Sequence, residues 1–323
     1  MNADDIYRIK VVNFDGKRIP ILMQNENGPC PLLAISNVLL LQQKIHIHSD
    51  LAFIDFRQLI QMVGNHLVEF NPPHPNPEMQ ANQQQQIADS LAVLPKLGRG
   101  LDVNIRFQKI NDFEYTNELS VMDMLGINLV HGWLYDPEDK KTASVIKDLS
   151  YNQLICELVE LDHVTNTNKS SGHKPEESAA AWAKLPSVVS WNMAGCNPRS
   201  QTSAAASAPE ISQSDDGALL SKMRSAQVVE AFLNENASQL TYHGLAQLFA
   251  GVGERELCVF FRNNHFCTMT KRNNELFLLA TDVGFFDQPD IVWEKLTDIT
   301  NDNAFCDGEF HVYHPRKKPA GGA

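Results

Sequence analysis

A chain that cuts an acyl bond with a thiol must bring three things together. These are a cysteine that can lose its proton, a base to take it, and a donor to hold the charge that develops on the carbonyl oxygen. The stretch ILMQNENGPCPLLAISNVLLL, Ile21 to Leu41, offers the first of them in Cys30. Asn25, Asn27, Gly28 and Pro29 break regular structure ahead of it. From Pro31 onward Leu32, Leu33, Ile35, Val38, Leu39, Leu40 and Leu41 recur close to the period of a buried helix. Pro31 falls in the first helical turn, where its missing N–H has no intrahelical partner to lose. Cys30 is therefore expected where a loop becomes a helix, in a field that favours an anion and lowers a thiol pKa. Alone, such a cysteine reads more readily as a small buried hydrophobe than as a nucleophile.

Two further residues change that balance. Gln24 stands six residues before Cys30, the spacing at which papain-like cysteine proteases carry a glutamine whose amide helps hold the oxyanion. Eleven histidines could supply the base. His46, His48, His66, His74, His163 and His173 fall in helix ends or loops, and His311 and His314 in the tail. His131 interrupts a strand and His243 sits within a helix; sequence alone excludes neither. His265 opens a strand after a turn through Asn263-Asn264, C-terminal to the cysteine helix, where papain-like folds carry their histidine. Asp282, or its neighbour Thr281, is the candidate to orient the imidazole.

The elements that must position these residues are legible in outline. Tyr7–Val12 and Arg18–Leu22 flank Asp15-Gly16, a hairpin signal that feeds the cysteine loop. Phe53–Phe70 repeats apolar residues at three and four and predicts an amphipathic helix, and IADSLAVLPKL a shorter one. Gly100–Phe107 alternates like a strand, and a second strand is expected near Leu129–Leu134. Ser150–Leu161 predicts a helix with Ser150 as its N-cap. Between about residues 166 and 219 Ser, Ala, Pro, Asn and Gly dominate and periodicity vanishes, which predicts a disordered insertion within one domain. Helices follow from Ser225, then strands at Leu257–Asn263, His265–Lys271 and Leu276–Phe285. The expected fold is α+β, a variant of the papain-like cysteine protease with a central nucleophile helix packed on an antiparallel sheet. Residues 1–323 form a single catalytic domain in this reading, with 315–323 a flexible tail.

Composition narrows the classes of partner. A formal net charge of −12 argues against a nucleic-acid binder. No stretch reaches the uncharged length of a membrane span, and the N-terminus lacks the apolar core of a signal peptide. The six cysteines, Cys30, Cys156, Cys196, Cys258, Cys267 and Cys306, show no metal-ligand spacing. Free thiols, no metal, no cofactor, and a cytoplasmic or nuclear monomer are the expectations.

QNENGPCPLLAISNVLLL, LPKLGRGLDVNIRF, HGWLYD, LSYNQL, QLTYHGL, FFRNNHFCTMTK and TDVGFF together resemble the MINDY deubiquitinases. The resemblance is stronger to the branch that prefers ubiquitin chains linked through lysine 48 of ubiquitin. It runs from about Tyr7 to Tyr313, broken by the insertion. It implies a thiol isopeptidase acting on polyubiquitin, with Cys30 as nucleophile, His265 as general base and acid, and Gln24 as oxyanion stabiliser. It also places ubiquitin contacts on Val103, Trp133, Tyr151 and Phe261, with Asp102 a further candidate. Apolar or amphipathic side chains of this kind would suit the hydrophobic patch of ubiquitin if they point outward. The branch also carries a ubiquitin-interacting helix and a lipidation box, and HPRKKPAGGA contains neither. A ubiquitin-binding protein without chemistry is the alternative, and a papain-like acyltransferase a more distant one.

Overall fold

The computed structural model describes residues 6–25, 30–168, 214–300 and 304–314. Strand β1 (Ile6–Phe14) pairs with β2 (Lys17–Leu22) through the expected hairpin, in the register Phe14 to Lys17. Asp15 and Gly16 both take positive φ, 49° and 72°, the two-residue turn whose twist matches that of the strands. The other edge of β1 receives β3 (Phe53–Asp55). The helix expected over Phe53–Phe70 therefore begins only at Phe56. Its first three residues pair with β1, and Asp55 then caps α2 (Phe56–Phe70) in a reciprocal box with Gln58.

Helix α1 (Cys30–Leu41) is buried at every position from Pro31 to Leu41. A helix that is apolar on all sides belongs in a core, and α1 lies between the small sheet and the large one. The large sheet has the order β4 (Leu129–His131), β5 (Leu257–Arg262), β6 (His265–Arg272), β7 (Glu275–Leu279), β8 (Trp293–Leu296), β9 (Ala304–Cys306). Pairing is antiparallel throughout except that β4 lies parallel to β5. The sheet is thus mixed, where an antiparallel one was expected. The long connection from β4 to β5 makes the parallel arrangement possible, because parallel neighbours need a crossover.

The crossover holds α5 (Lys140–Ile146), α6 (Tyr151–Asn168), α7 (Ser214–Glu235) and α8 (Tyr242–Gly251), while α3 (Pro77–Val93) and α4 (Ser120–Met124) precede it. Ser150 caps α6 as expected, its N–H donating to Gln153 Oε1 at 2.8 Å and its Oγ accepting from Gln153 N–H at 3.5 Å. Helices α6 and α7 extend into both ends of the segment expected to be disordered; its middle, and the tail from 315, lie outside the described residues. Gly100–Phe107 forms no strand. It makes only isolated bridges, Ile105 to Phe113 and Arg106 to Ser150, while the Asn104 amide donates to Glu114 at 2.5 Å and to Ser150 Oγ at 3.0 Å. The start of α8 rests on β4's exit: a Cβ on Gly244 would lie 1.8 Å from the Gly132 carbonyl oxygen, so only glycine fits. Among the described residues no helix is long and apolar enough to cross a membrane.

Candidate active site

Three elements bring the sequence candidates to one end of the large sheet. Strands β4 and β5 finish there and β6 begins there, after the turn at Asn263 and Asn264, with φ of 50° and 59°. In a two-residue hairpin Arg262 and His265 form the hydrogen-bonded pair, so the next pair, Phe261 and Phe266, is non-bonded and the Phe266 N–H points away from β5. Strand β7 does not use it, because β6–β7 pairing starts only at Met269. The Cys30 sulfur takes that N–H instead, one residue from His265. Threonine 268, on the same face as Phe266, donates its hydroxyl to the Ala34 carbonyl at 3.0 Å and so fixes α1 against β6.

Gln24 reaches the site by a separate route. Asn37, fully buried in the middle of α1, accepts the Leu22 N–H at 2.7 Å and donates to the Leu22 carbonyl at 3.0 Å. Its amide thus imitates a neighbouring strand and ties β2 to the nucleophile helix. Two residues on, the Gln24 N–H donates to the Thr281 carbonyl at 2.6 Å, and Val283 N–H to the Gln24 carbonyl at 3.2 Å. Gln24, Asn25, His265, Cys267, Thr281, Asp282 and Glu294 line one cavity of about 380 Å³. The structure therefore brings Cys30, His265 and Gln24 into one neighbourhood, from residues 241 positions apart at the extremes.

Electrostatics depart from one expectation. Burial pushes the Cys30 thiol above its ordinary value, and this outweighs the opposing pull of the Phe266 N–H and Cys30's own N–H. Burial likewise holds His265 below 6.5. Both groups therefore rest neutral, where the helix N-terminus alone predicted a thiolate. Of the two candidate orienting groups, the Asp282 carboxylate is engaged at 2.6 Å with the Gly284 N–H, capping the 3-10 turn Val283–Phe285. Thr281 lines the cavity beside it. Cys30, Cys258, Cys267 and Cys306 are free, whereas Cys156 is disulfide-bonded, against the expectation that all six are free thiols. Groupings of side chains able to hold a metal are absent among the described residues.

The residues singled out as ubiquitin contacts divide into two sets. Asp102 is exposed and Val103 half-buried. Trp133, Tyr151 and Phe261 are core residues, between 2% and 7% exposed, and do not point outward. Trp133 is the hub of an aromatic cluster, with Phe107 at 5.5 Å, Tyr151 at 5.6 Å and Phe232 at 6.2 Å between ring centroids. Its Nε1 is buried without a hydrogen-bond partner. Phe261 packs on Phe266 at 4.9 Å, directly behind the Cys30 contact.

Sequence reasoning missed Glu294 and Arg262. Glu294 lines the His265 cavity and faces both Arg262 and Cys267; burial first, then the charges of Cys30 and Glu294, raise the Cys267 thiol to about 12, while the Arg262 cation pulls the other way. Arg262 also spans the turn, donating to the Ser238 carbonyl at 2.8 Å and the Ile299 carbonyl at 2.7 Å. The only sequence signal for Glu294 is strand register, since it pairs with Leu278 across β7–β8.

With this geometry in view, the chain can be set against known proteins. The profile of the MINDY deubiquitinase family matches residues 5–310. The chain is 38% identical over 317 residues to ubiquitin carboxyl-terminal hydrolase MINDY-1 of Mus musculus, covering 98% of this chain and 56% of that protein. Identity to the Homo sapiens MINDY-1 is also 38%, over 98% and 56%. To ubiquitin carboxyl-terminal hydrolase MINDY-2 of Mus musculus it is 39% over 313 residues, 97% of this chain and 43% of that protein. The chain thus spans about half the length of the relatives it matches. On the match of nearly its whole length, the chain belongs to the MINDY deubiquitinase family.

Proposed function

We propose that this chain is a thiol isopeptidase that hydrolyses lysine-48-linked polyubiquitin, on a site ordered as in papain-like proteases. The observation that carries the proposal is the meeting of Cys30 with the first residues of β6, beside a cavity shared by His265 and Gln24. A neutral imidazole is the competent form of a general base, and burial keeps His265 neutral at physiological pH. Because the thiol rests protonated, its proton passes to His265 as Cys30 attacks the isopeptide carbonyl. The imidazolium then returns the proton to the departing lysine amine, and water releases the acyl group by the same route in reverse. The Gln24 amide and the Cys30 N–H hold the oxyanion. Thr281 is the better placed orienting group, since the Asp282 carboxylate is already committed to its cap.

Ubiquitin meets Val103 and Asp102 at the surface in this reading. Trp133 and Tyr151 form the layer beneath and support that surface from the core. Digestion of tetraubiquitin linked through lysine 48, through lysine 63, or head to tail tests the proposal. Selective loss of the first chain type, abolished in Cys30→Ala and reduced roughly 10²–10³-fold in Gln24→Ala, is the expected result. Retained binding without cleavage of any chain, and no covalent capture by a ubiquitin-derived electrophile, would leave a ubiquitin-binding protein instead.

A further inference from the structure

The chemistry above makes no use of Lys10, a charged residue of β1 that lies 5% exposed. Its Nζ donates to three backbone carbonyls, Phe285 at 2.8 Å, Gln288 at 2.7 Å and Ile291 at 2.7 Å. An ammonium has three N–H bonds and all three are used, so these partners stand in for water. Asp290 adds a favourable charge, while burial lowers Lys10 to about 8.

A cation held on backbone carbonyls fixes the path of the chain that carries them. Here the three carbonyls lie within residues 285–291 and converge on one point. Two residues earlier on β1, the Arg8 guanidinium lies 4.1 Å from the centroid of the Phe286 ring. Both cations thus grip one segment, and that segment follows directly on the residues paired with Gln24, Thr281 and Val283. The same strand holds the Gln24 side as well. Met23 N–H donates to the Arg8 carbonyl at 2.9 Å, and Asn25 Nδ2 to the Ile6 carbonyl at 3.1 Å. Gln24 is therefore clamped between the edge of β1 and a segment that β1 itself secures.

We infer that Lys10 is a positioning residue for Gln24: by pinning residues 285–291 it holds the Gln24–Asp282 pairing, and with it the Gln24 backbone, in register for oxyanion binding. The inference rests on the thiol-isopeptidase reading and on the role of Gln24 in it. Lys10 touches no reacting atom. A displacement of about 1 Å in a positioned group costs as much as 10² in rate, so a clamp of this kind affects turnover more than affinity.

A double-mutant cycle on the full chain tests it, using lysine-48-linked diubiquitin with a fluorophore and quencher as the probe and reading kcat, KM and Tm. Lys10→Met is expected to lower kcat about 10–100-fold with KM within about twofold. In the Gln24→Ala background the same change should cost less than about threefold, because the group it positions is gone. Arg8→Met, which loosens the same segment without removing a buried charge, should give a smaller kcat loss with the same dependence on Gln24, and it decides the matter if Lys10→Met does not fold. Wild-type kcat in the variant, or an equal loss in both backgrounds, overturns the clamp while leaving the site reading intact. A Gln24→Ala enzyme with undiminished kcat would instead refute the oxyanion role of Gln24, and the clamp with it.

Discussion

Replacing Asn37 should do more damage than its small side chain suggests. The side chain makes two hydrogen bonds to one backbone unit, Leu22, at 2.7 and 3.0 Å, and is wholly buried. In Asn37→Ala both the Leu22 N–H and its carbonyl lose their partners in a place water does not reach. Each orphaned group costs about 1–3 kcal/mol. Alanine recovers roughly 0.5 kcal/mol through better helix propensity, which leaves a net loss of about 3 kcal/mol. At about 2–4 °C per kcal/mol for a domain above 150 residues, the midpoint should fall by roughly 6–12 °C. Asn37→Asp separates this account from simple cavity formation. It preserves volume and one acceptor, but sets a carboxylate oxygen against the Leu22 carbonyl and buries a charge. It should therefore be less stable than Asn37→Ala at pH 7, and should recover partly on acidification, when a protonated oxygen can donate. Thermal unfolding followed by circular dichroism measures both. An alanine variant within about 1 kcal/mol of wild type, or an aspartate variant more stable than alanine at neutral pH, would sink the reasoning.

Three further outcomes follow from the same structure. His131 accepts the Trp133 N–H through Nδ1 at 3.2 Å, and burial lowers its pKa to about 4. The folded state thus keeps it neutral. That stability is full above 6.5 and is lost as pH falls toward 4, a span worth roughly 3 kcal/mol, and His131→Gln should flatten this part of the stability profile in urea melts. Alkylation of Cys30 by iodoacetamide, read by mass spectrometry with Cys30→Ala as control, should climb through the alkaline range past 9.0 because burial raises the thiol; a rate plateau between about pH 5 and 8 would reveal an ion pair and contradict the neutral resting state. At the turn before His265, Asn264 takes φ 59°, so Asn264→Gly should hold or raise stability by a few tenths of a kcal/mol, whereas Asn264→Val should lose more than 1 kcal/mol and slow turnover by re-aiming β6.

How far the sequence could be read depended on whether the deciding interaction was local. Asp15-Gly16 and Asn263-Asn264 mark their hairpins because the turn chemistry lies in two residues, and the uninterrupted apolar run after Cys30 can only be a buried helix. Phe53–Asp55 follows a helical pattern, yet pairing with Ile6–Arg8, far away in sequence, overrides it. The parallel lie of β4 against β5 is a matter of crossover, which no local pattern encodes. Trp133 and Tyr151 could equally have faced water, since amphipathic aromatics suit either side; Trp133 meets Phe107 edge-on, stacks on Phe232 and packs against Tyr151, which settles both inside. Within the site, Cys30, Gln24 and His265 were recognisable by type and spacing. Glu294 and Lys10 were not, because a strand glutamate and a strand lysine look like solvent-facing residues until a distant segment covers them.

The cage around Lys10 also has a meaning in time. Its carbonyl partners follow it by 275 to 281 residues, which at roughly 5–20 residues per second separates them by about 15–55 s of synthesis. For most of that interval the first strands and α1 exist without β6, which carries His265. Under the proposed chemistry, a product that stops before β6 carries Cys30 without His265. Closure of the cage on Lys10 therefore comes only after β6 and His265 have been made.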